Sequence, residues 1–269
     1  MEITALVWSN PATMRALELA ALAVGRLDAA ASTAPHGLAE LLVLRCAAQA
    51  NGARREGMIA LLRPEGEGSR KLHRFYERLR ETVPVEAAAM PTLVVAAAAA
   101  RLAMRGQGAD ESAKAAAALA ASRALRSGGA ISGPWLSFPV ESGPPLSTPE
   151  RETDDPSPDW FTTAFHSLER EARAVERGLG AARHRAAADE QRVRDAMGRA
   201  AYSALSVLEL LRERLALSIP EVARVLGLTP PTANAAIGRL EVMGIAREVT
   251  ARQRSRLFVY TALVDALAP

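Results

Sequence analysis

GLTPPTANAAIGRLEVMGI, residues 227–245, decides how the last fifth of the chain is read. It is too poor in aromatics and large aliphatics for an ordinary core helix. Two prolines stand at its front, small residues fill its middle and a glycine ends it. Thr229 is placed as an N-cap. Pro230 and Pro231 take the first helical positions, where a missing N–H costs nothing, and Gly244 sits where a left-handed C-terminal residue belongs. Just upstream, Ser218-Ile219-Pro220-Glu221 reads as a capping box. It opens a short helix, Ile219 to Val225, that Gly227 stops. Two helices joined by a tight glycine turn make a helix-turn-helix.

Beyond it, IAREV (245–249) is apolar at alternate positions, and RLFVY (256–260) is a second run of β-branched and aromatic residues. Polar TARQRS lies between them. A helix-turn-helix followed by a two-stranded hairpin is a winged helix. From Ser218 to Pro269 six arginines oppose four acidic residues, a net of +2, and four of the six crowd into the wing. In this arrangement Ala233, Ala236, Ile237 and Leu240 face the core. Thr232, Asn234, Ala235, Gly238 and Arg239 face outwards, small enough for the backbone to enter a major groove. The candidate contacts to double-stranded DNA are Thr229, Thr232, Asn234, Ala235, Arg239, Arg247, Arg252, Arg254 and Arg256. Asn234 and Arg239 suit bidentate pairing with adenine and guanine, and the wing arginines suit phosphates or a minor groove. A winged helix used only for protein contact is the competing reading.

Working towards the N-terminus, Val207, Leu208 and Leu211 give an inner face to a helix from about Asp189 to Arg214. Before it, Phe161, Phe165, Leu168, Ala172, Val175, Leu179 and Ala182 alternate steps of four and three, a heptad-like seam. The seam predicts a long helix packed against others, with a dimeric coiled coil as the sharper alternative. Residues 139–158, PVESGPPLSTPERETDDPSP, have almost nothing to bury and read as a linker or exposed loop. The first 138 residues carry no sustained period-2 alternation. Asn10-Pro11 caps a helix there, with others over about 38–61, 71–81, after Pro91 and over 112–126, the last ending at Gly128-Gly129. The expected divisions are 1–138, a helical region; 139–158, the linker; 159–217, long helices; and 218–269, the winged helix-turn-helix.

Composition sets the outer limits. The chain has 269 residues, 49% of them hydrophobic but only 4% aromatic, so alanine-rich helices account for much of the core. A formal charge of +3 permits an acidic partner without demanding one. Cys46 is the only cysteine, so neither an intrachain disulfide nor a thiolate metal cluster is expected, and it reads as a small buried residue. The start lacks a basic region followed by an apolar core, and the longest apolar run, Leu93 to Ala100, falls short of the roughly 20 residues that span a bilayer. A cytoplasmic location and no membrane partner are expected. His36, His73, His166 and His184 lack metal-ligand spacing. Gly106-Gln107-Gly108 reads as a helix break, and Ser132 lies outside any G-x-S-x-G elbow. No metal, cofactor or catalytic constellation is expected.

From about residue 159 onward the chain resembles the C-terminal part of bacterial Fic proteins. The matching residues are Asp159-Trp160-Phe161 with Phe165, then SALSVLELL, SIPEVARVLGL, LEVMGIAREVT and RLFVY. Further forward, Gly25-Arg26-Leu27-Asp28 is similar to the entry segment of that family, and Arg55-Glu56-Gly57 falls where many members carry an inhibitory glutamate. The resemblance implies a helical Fic-like body ahead of the winged helix. It would also imply AMP transfer from ATP through a loop HPFx(D/E)GNGRxGR, whose histidine is the general base and whose glycines and arginines hold phosphates. The corresponding residues 103–114, AMRGQGADESAK, contain no such run. The base would fall near Ala103, and a phosphate-binding arginine near Glu111 is a charge reversal.

The expectation is therefore a mainly α protein, a Fic-like body with a winged helix and a two-stranded wing. It would be a transcriptional regulator without enzymatic activity, a homodimer on DNA, with the body answering to a protein partner or small-molecule effector. The competing expectations are an interaction adaptor or antitoxin-like partner, and a degenerate nucleotide-transferring enzyme.

Overall fold

The computed structural model describes residues 7, 9–34, 41–42, 44–45, 48, 58–59, 70, 92–104, 111–133, 136, 157–198, 201–214, 216–250 and 256–268. They form α1 (Pro11–Ser32), α2 (Thr92–Met104), α3 (Glu111–Ser127), α4 (Pro158–Met197) and α5 (Ala201–Glu213). Then follow β1 (Ala216–Ser218), α6 (Ile219–Leu226), α7 (Pro230–Val242), β2 (Ala246–Glu248), β3 (Leu257–Tyr260) and α8 (Thr261–Leu267). The molecule is mainly helical, as its sequence predicts. Cys46, His36, His73, Arg55–Gly57, the Gly106–Gly108 break and most of the 38–61, 71–81 and 139–158 segments lie outside the described residues.

The helix ends follow local chemistry. Asn10 caps α1, its Oδ1 accepting from the N–H groups of Ala12 at 3.0 Å and Thr13 at 3.1 Å, with Pro11 at N1. α3 closes at Gly129, whose φ of 71° lets Ala130 N–H reach back to the Leu125 carbonyl at 2.8 Å. Ser157 and Pro158, the last two residues of the expected linker, are the N-cap and first residue of α4.

α4 is a single helix of 40 residues, about 60 Å long at 1.5 Å per residue. Two helices were expected, parted between Ala182 and Asp189. The intervening arginines and alanines are good helix formers and supply no stop. The chain breaks instead at Gly198, with φ 50°. Every seam residue from Phe161 to Ala182 is buried. α1 packs along α4, and α8 crosses it at Gly178, where an added Cβ would meet the Ala266 carbonyl oxygen at 2.6 Å. The seam is thus covered within the chain. It is not a free face for a second copy, which corrects its use as a dimer surface.

Side chains tie these helices at several points. The Thr13 and Thr162 hydroxyls lie 2.7 Å apart, and Arg183 Nη2 donates to the Ala30 carbonyl at 2.7 Å, capping the C-terminal end of α1. Arg45, 7% exposed, donates from Nη2 to Glu171 on α4 at 2.8 Å and from Nη1 to the Leu267 carbonyl of α8 at 2.9 Å. At the N-terminal end of α4, Trp160 packs edge-on to Phe161, and Arg101 of α2 lies 5.1 Å from the Trp160 ring centre. No described helix is long and apolar enough to cross a membrane.

The sheet has three antiparallel strands in the order β1-β3-β2, one more than expected. β1 pairs Leu217 with Phe258, and β2 pairs Arg247 with Val259. Three residues are too few to display an alternation, and Ser218 serves both as strand end and as helix cap, so β1 leaves no separate signal. α8 is likewise unannounced: its buried Leu263, Val264 and Leu267 follow β3 without an intervening turn signal.

Candidate nucleic-acid interface

The helix-turn-helix is assembled from caps. Ser218 Oγ accepts from Glu221 N–H at 3.4 Å and opens α6; Glu221 then pairs with Arg214 at 3.0 Å. Gly227 ends α6 in the left-handed region at φ 64°, and Leu228 N–H returns to the Ala223 carbonyl at 2.9 Å. Thr229 opens α7, accepting from Thr232 N–H at 3.4 Å, with the two hydroxyls 2.8 Å apart. At the far end Gly244 has φ 69°, and Ile245 N–H bonds the Leu240 carbonyl at 2.9 Å. This geometry turns the chain directly into β2.

α7 buries Ala233, Ala236, Ile237 and Leu240 and exposes Thr232, Asn234, Ala235 and Arg239, with Gly238 half-buried. Thr229 and Thr232 are exposed but paired with each other. Asn234 and Arg256, assigned separate roles in the sequence reading, are joined: Arg256 Nη2 donates to Asn234 Oδ1 at 3.0 Å. The same guanidinium lies 3.7 Å from Glu248 and 5.2 Å from the Phe258 ring centre, so it is held by a carboxylate, an amide and an aromatic face. Bidentate pairing with adenine needs both ends of the Asn234 amide, and one of them is engaged here. Thr250 secures the base of the wing, donating to Glu248 at 3.0 Å and accepting Leu257 N–H at 3.2 Å.

Arg247 is less open than the exposed candidate contacts of α7. It is half-buried on β2, and its Nη2 is enclosed with no hydrogen-bond partner among the described residues. Its strand is the edge of the sheet, where Arg247 pairs with Val259. Arg252 and Arg254 lie outside the described residues. His166, exposed beside Glu169 at 3.5 Å, and exposed His184 sit on α4, away from this surface.

The end of α4 is a neighbour the sequence reading did not bring to the site. Asp189 is 2% exposed, accepting the Tyr260 hydroxyl at 2.8 Å and Arg192 Nη1 at 2.7 Å. Arg185 Nε lies 3.7 Å from the same carboxylate. Burial and the adjacent carboxylate push the Tyr260 phenol well above its ordinary range. Arg192 also donates from Nη2 to the Met243 carbonyl, the C-terminal end of α7, at 3.1 Å. One buried carboxylate therefore connects α4 to the last strand and, through Arg192, to α7. Its signal was present: Ala182, Ala186, Asp189 and Val193 continue the four-three spacing, with a carboxylate at a seam position.

Ala196 and Met197, at the tip of α4, face Ala235, Gly238, Arg239, Val242 and Met243 across a cleft of about 590 Å³. Val242, which sequence reasoning did not single out, is 90% exposed.

This order of helix, strand, two helices and two strands defines a winged helix-turn-helix. The family model for winged helix-turn-helix DNA-binding domains matches residues 202–247. The match starts within α5, so the domain draws in a helix that lies before residue 218, and it includes all of α7. No curated protein matches the chain.

Proposed function

We propose that the chain is a DNA-binding transcriptional regulator that acts through its winged helix. The observation that carries this reading is α7: a capped helix with a small-residue exposed face, flanked by Arg239 and by the Arg256 of the wing, inside a segment matching a DNA-binding family. The α4 helix would transmit the state of the body to this head. One winged helix spans a short half-site, so two copies on DNA belong to the proposal, through a surface other than the covered seam. A cytoplasmic location follows from a DNA target. The Fic-like character of the body rests on the residues quoted for that resemblance, and the absence of its phosphate loop from the sequence supports a non-catalytic role. Labelling of the protein or a partner by radioactive ATP above a no-protein control would overturn that part.

The test is fluorescence anisotropy on cognate and random duplexes over a salt series. Each wing arginine replaced by alanine is expected to weaken binding to all sequences alike and lower the salt slope by about 1. If R252A/R254A/R256A binds both duplexes as tightly as wild type, the winged helix does not read DNA. An adaptor role is the second reading, favoured by exposed Val242 and by the engagement of Asn234.

A further inference from the structure

The middle of the exposed face of α7 is apolar. At 100° per residue, Ala235, Gly238 and Val242 lie opposite buried Ala233, Ala236, Ile237 and Leu240. The polar side chains stand to either side or at the end: Asn234 turns to Arg256, exposed Glu241 follows on the Asn234 side, Thr232 pairs with Thr229, and Arg239 lines the cleft. Met197 and Ala196 wall the cleft from α4, and the space over Gly238 is open. Among the described residues no carboxylate lines the cleft; Arg239 stands on one flank, and Arg256, with Glu248 and Glu241, on the other. An apolar protein segment would have to bury beside those cations, whereas a nucleic-acid groove brings phosphates to meet them. Within the major groove the apolar group is the C5-methyl of thymine.

We propose that this cleft reads thymine methyl groups, with Val242, Ala235 and Met197 as the specificity-determining residues. The inference rests on the DNA-binding reading and names what that site selects. Arg239 and Arg256 hold the backbone on either side, and the cleft receives the methyl.

The experiment selects duplexes from a random library with the full chain, then replaces each thymine of an enriched duplex by deoxyuridine, which lacks only the methyl. Anisotropy is expected to show binding weakened about three- to fivefold at one or two positions, the size of one methyl group leaving an apolar contact. Val242→Ala and Met197→Ala, changes at exposed and half-exposed positions, are expected to lose most of that difference while keeping the salt slope. Affinity unchanged at every uridine position, a full thymine preference in V242A, or a selection that enriches nothing would overturn the proposal and leave DNA binding standing. Failure to bind any duplex at low salt would overturn both.

Discussion

The body and the winged helix are built from different instructions. In the winged helix nearly every turn is specified by the residue that makes it: Ser218 and Thr229 accept from the first turns of their helices, and Gly227 and Gly244 take positive φ at the ends. In the body the helices are held by what they meet far away in sequence. Alanines 16, 20, 23 and 31 of α1 are buried along α4, with Thr13 on Thr162 and Arg183 on Ala30 as polar ties. Local chemistry can specify a small motif alone, whereas a bundle of small side chains gains uniqueness from close approach over long distances. α4 belongs to both regions, and breaking it is the sharpest way to test whether they are separate.

The largest effect is expected from Phe165→Ala. Phe165 is fully buried and stacked on Phe161 at 5.9 Å, so its loss should cost about 3–5 kcal/mol. Urea unfolding followed by tryptophan fluorescence measures that cost in the body. Hydrogen exchange at residues 233–240 reports the winged helix. Because α4 runs through both, protection of α7 is expected to fall in parallel. Wild-type protection there would make the two regions independent folding units.

Next comes the carboxylate that joins them. Asp189→Ala leaves Tyr260 and Arg192 without their shared acceptor. Arg192 is half in solvent, which lowers the penalty of breaking a buried pair to about 2–3 kcal/mol. Tyr260→Phe removes one donor and should cost about 1 kcal/mol. The pH dependence separates the two variants. The phenol's folded pKa is raised above its unfolded value, so its contribution is complete below about pH 10 and is lost as pH rises beyond it. Y260F should remove that alkaline decline, and a variant that keeps it would place the titration elsewhere.

How much of this was legible follows the same division. The winged helix could be read from Ser218, Gly227, Thr229 and Gly244 because each acts within a few residues of itself, and the buried face of α7 follows from helical period alone. β1 leaves no signal because three residues carry no period. The continuation of α4 to Gly198 is hard to read because the arginines and alanines of 183–188 look alike in a helix and in a polar connection. The pairing of Asn234 with Arg256 spans 22 residues, and that of Asp189 with Tyr260 spans 71. Only the fold supplies such partners. Residue type points to Arg247 as a cation for DNA, and only the fold shows that it sits half-buried on the edge strand.

The Asn234–Arg256 pair gives a third, smaller effect. Were they independent readers, one of a base and one of a phosphate, the losses of N234A and R256A in duplex binding would add. Sharing a hydrogen bond, they should be coupled by about 1 kcal/mol in a double-mutant cycle. Additivity within about 0.3 kcal/mol would mean that the pair separates on DNA.

The smallest effect has the clearest sign. Gly178 and Gly180 lie two residues apart in the middle of α4, and as bare sequence they are equivalent helix weaknesses, each expected to gain about 0.8–1 kcal/mol on replacement by alanine. The fold makes them different. A Cβ on Gly180 meets nothing within 4 Å, so Gly180→Ala should stabilise by close to the full helical gain. A Cβ on Gly178 would lie 2.6 Å from the Ala266 carbonyl oxygen and 2.8 Å from Leu267 Cδ2. Backbone cannot swing away as a side-chain end can, so α8 must move off α4, and Arg45 loses its geometry to the Leu267 carbonyl. Overpacking of that kind costs about 1–3 kcal/mol, which outweighs the propensity gain and leaves Gly178→Ala destabilised by about 1 kcal/mol. Thermal unfolding of the two variants side by side decides it. Opposite shifts in Tm place the C-terminal helix against Gly178, and two upward shifts of equal size would mean that α8 does not press on α4 there.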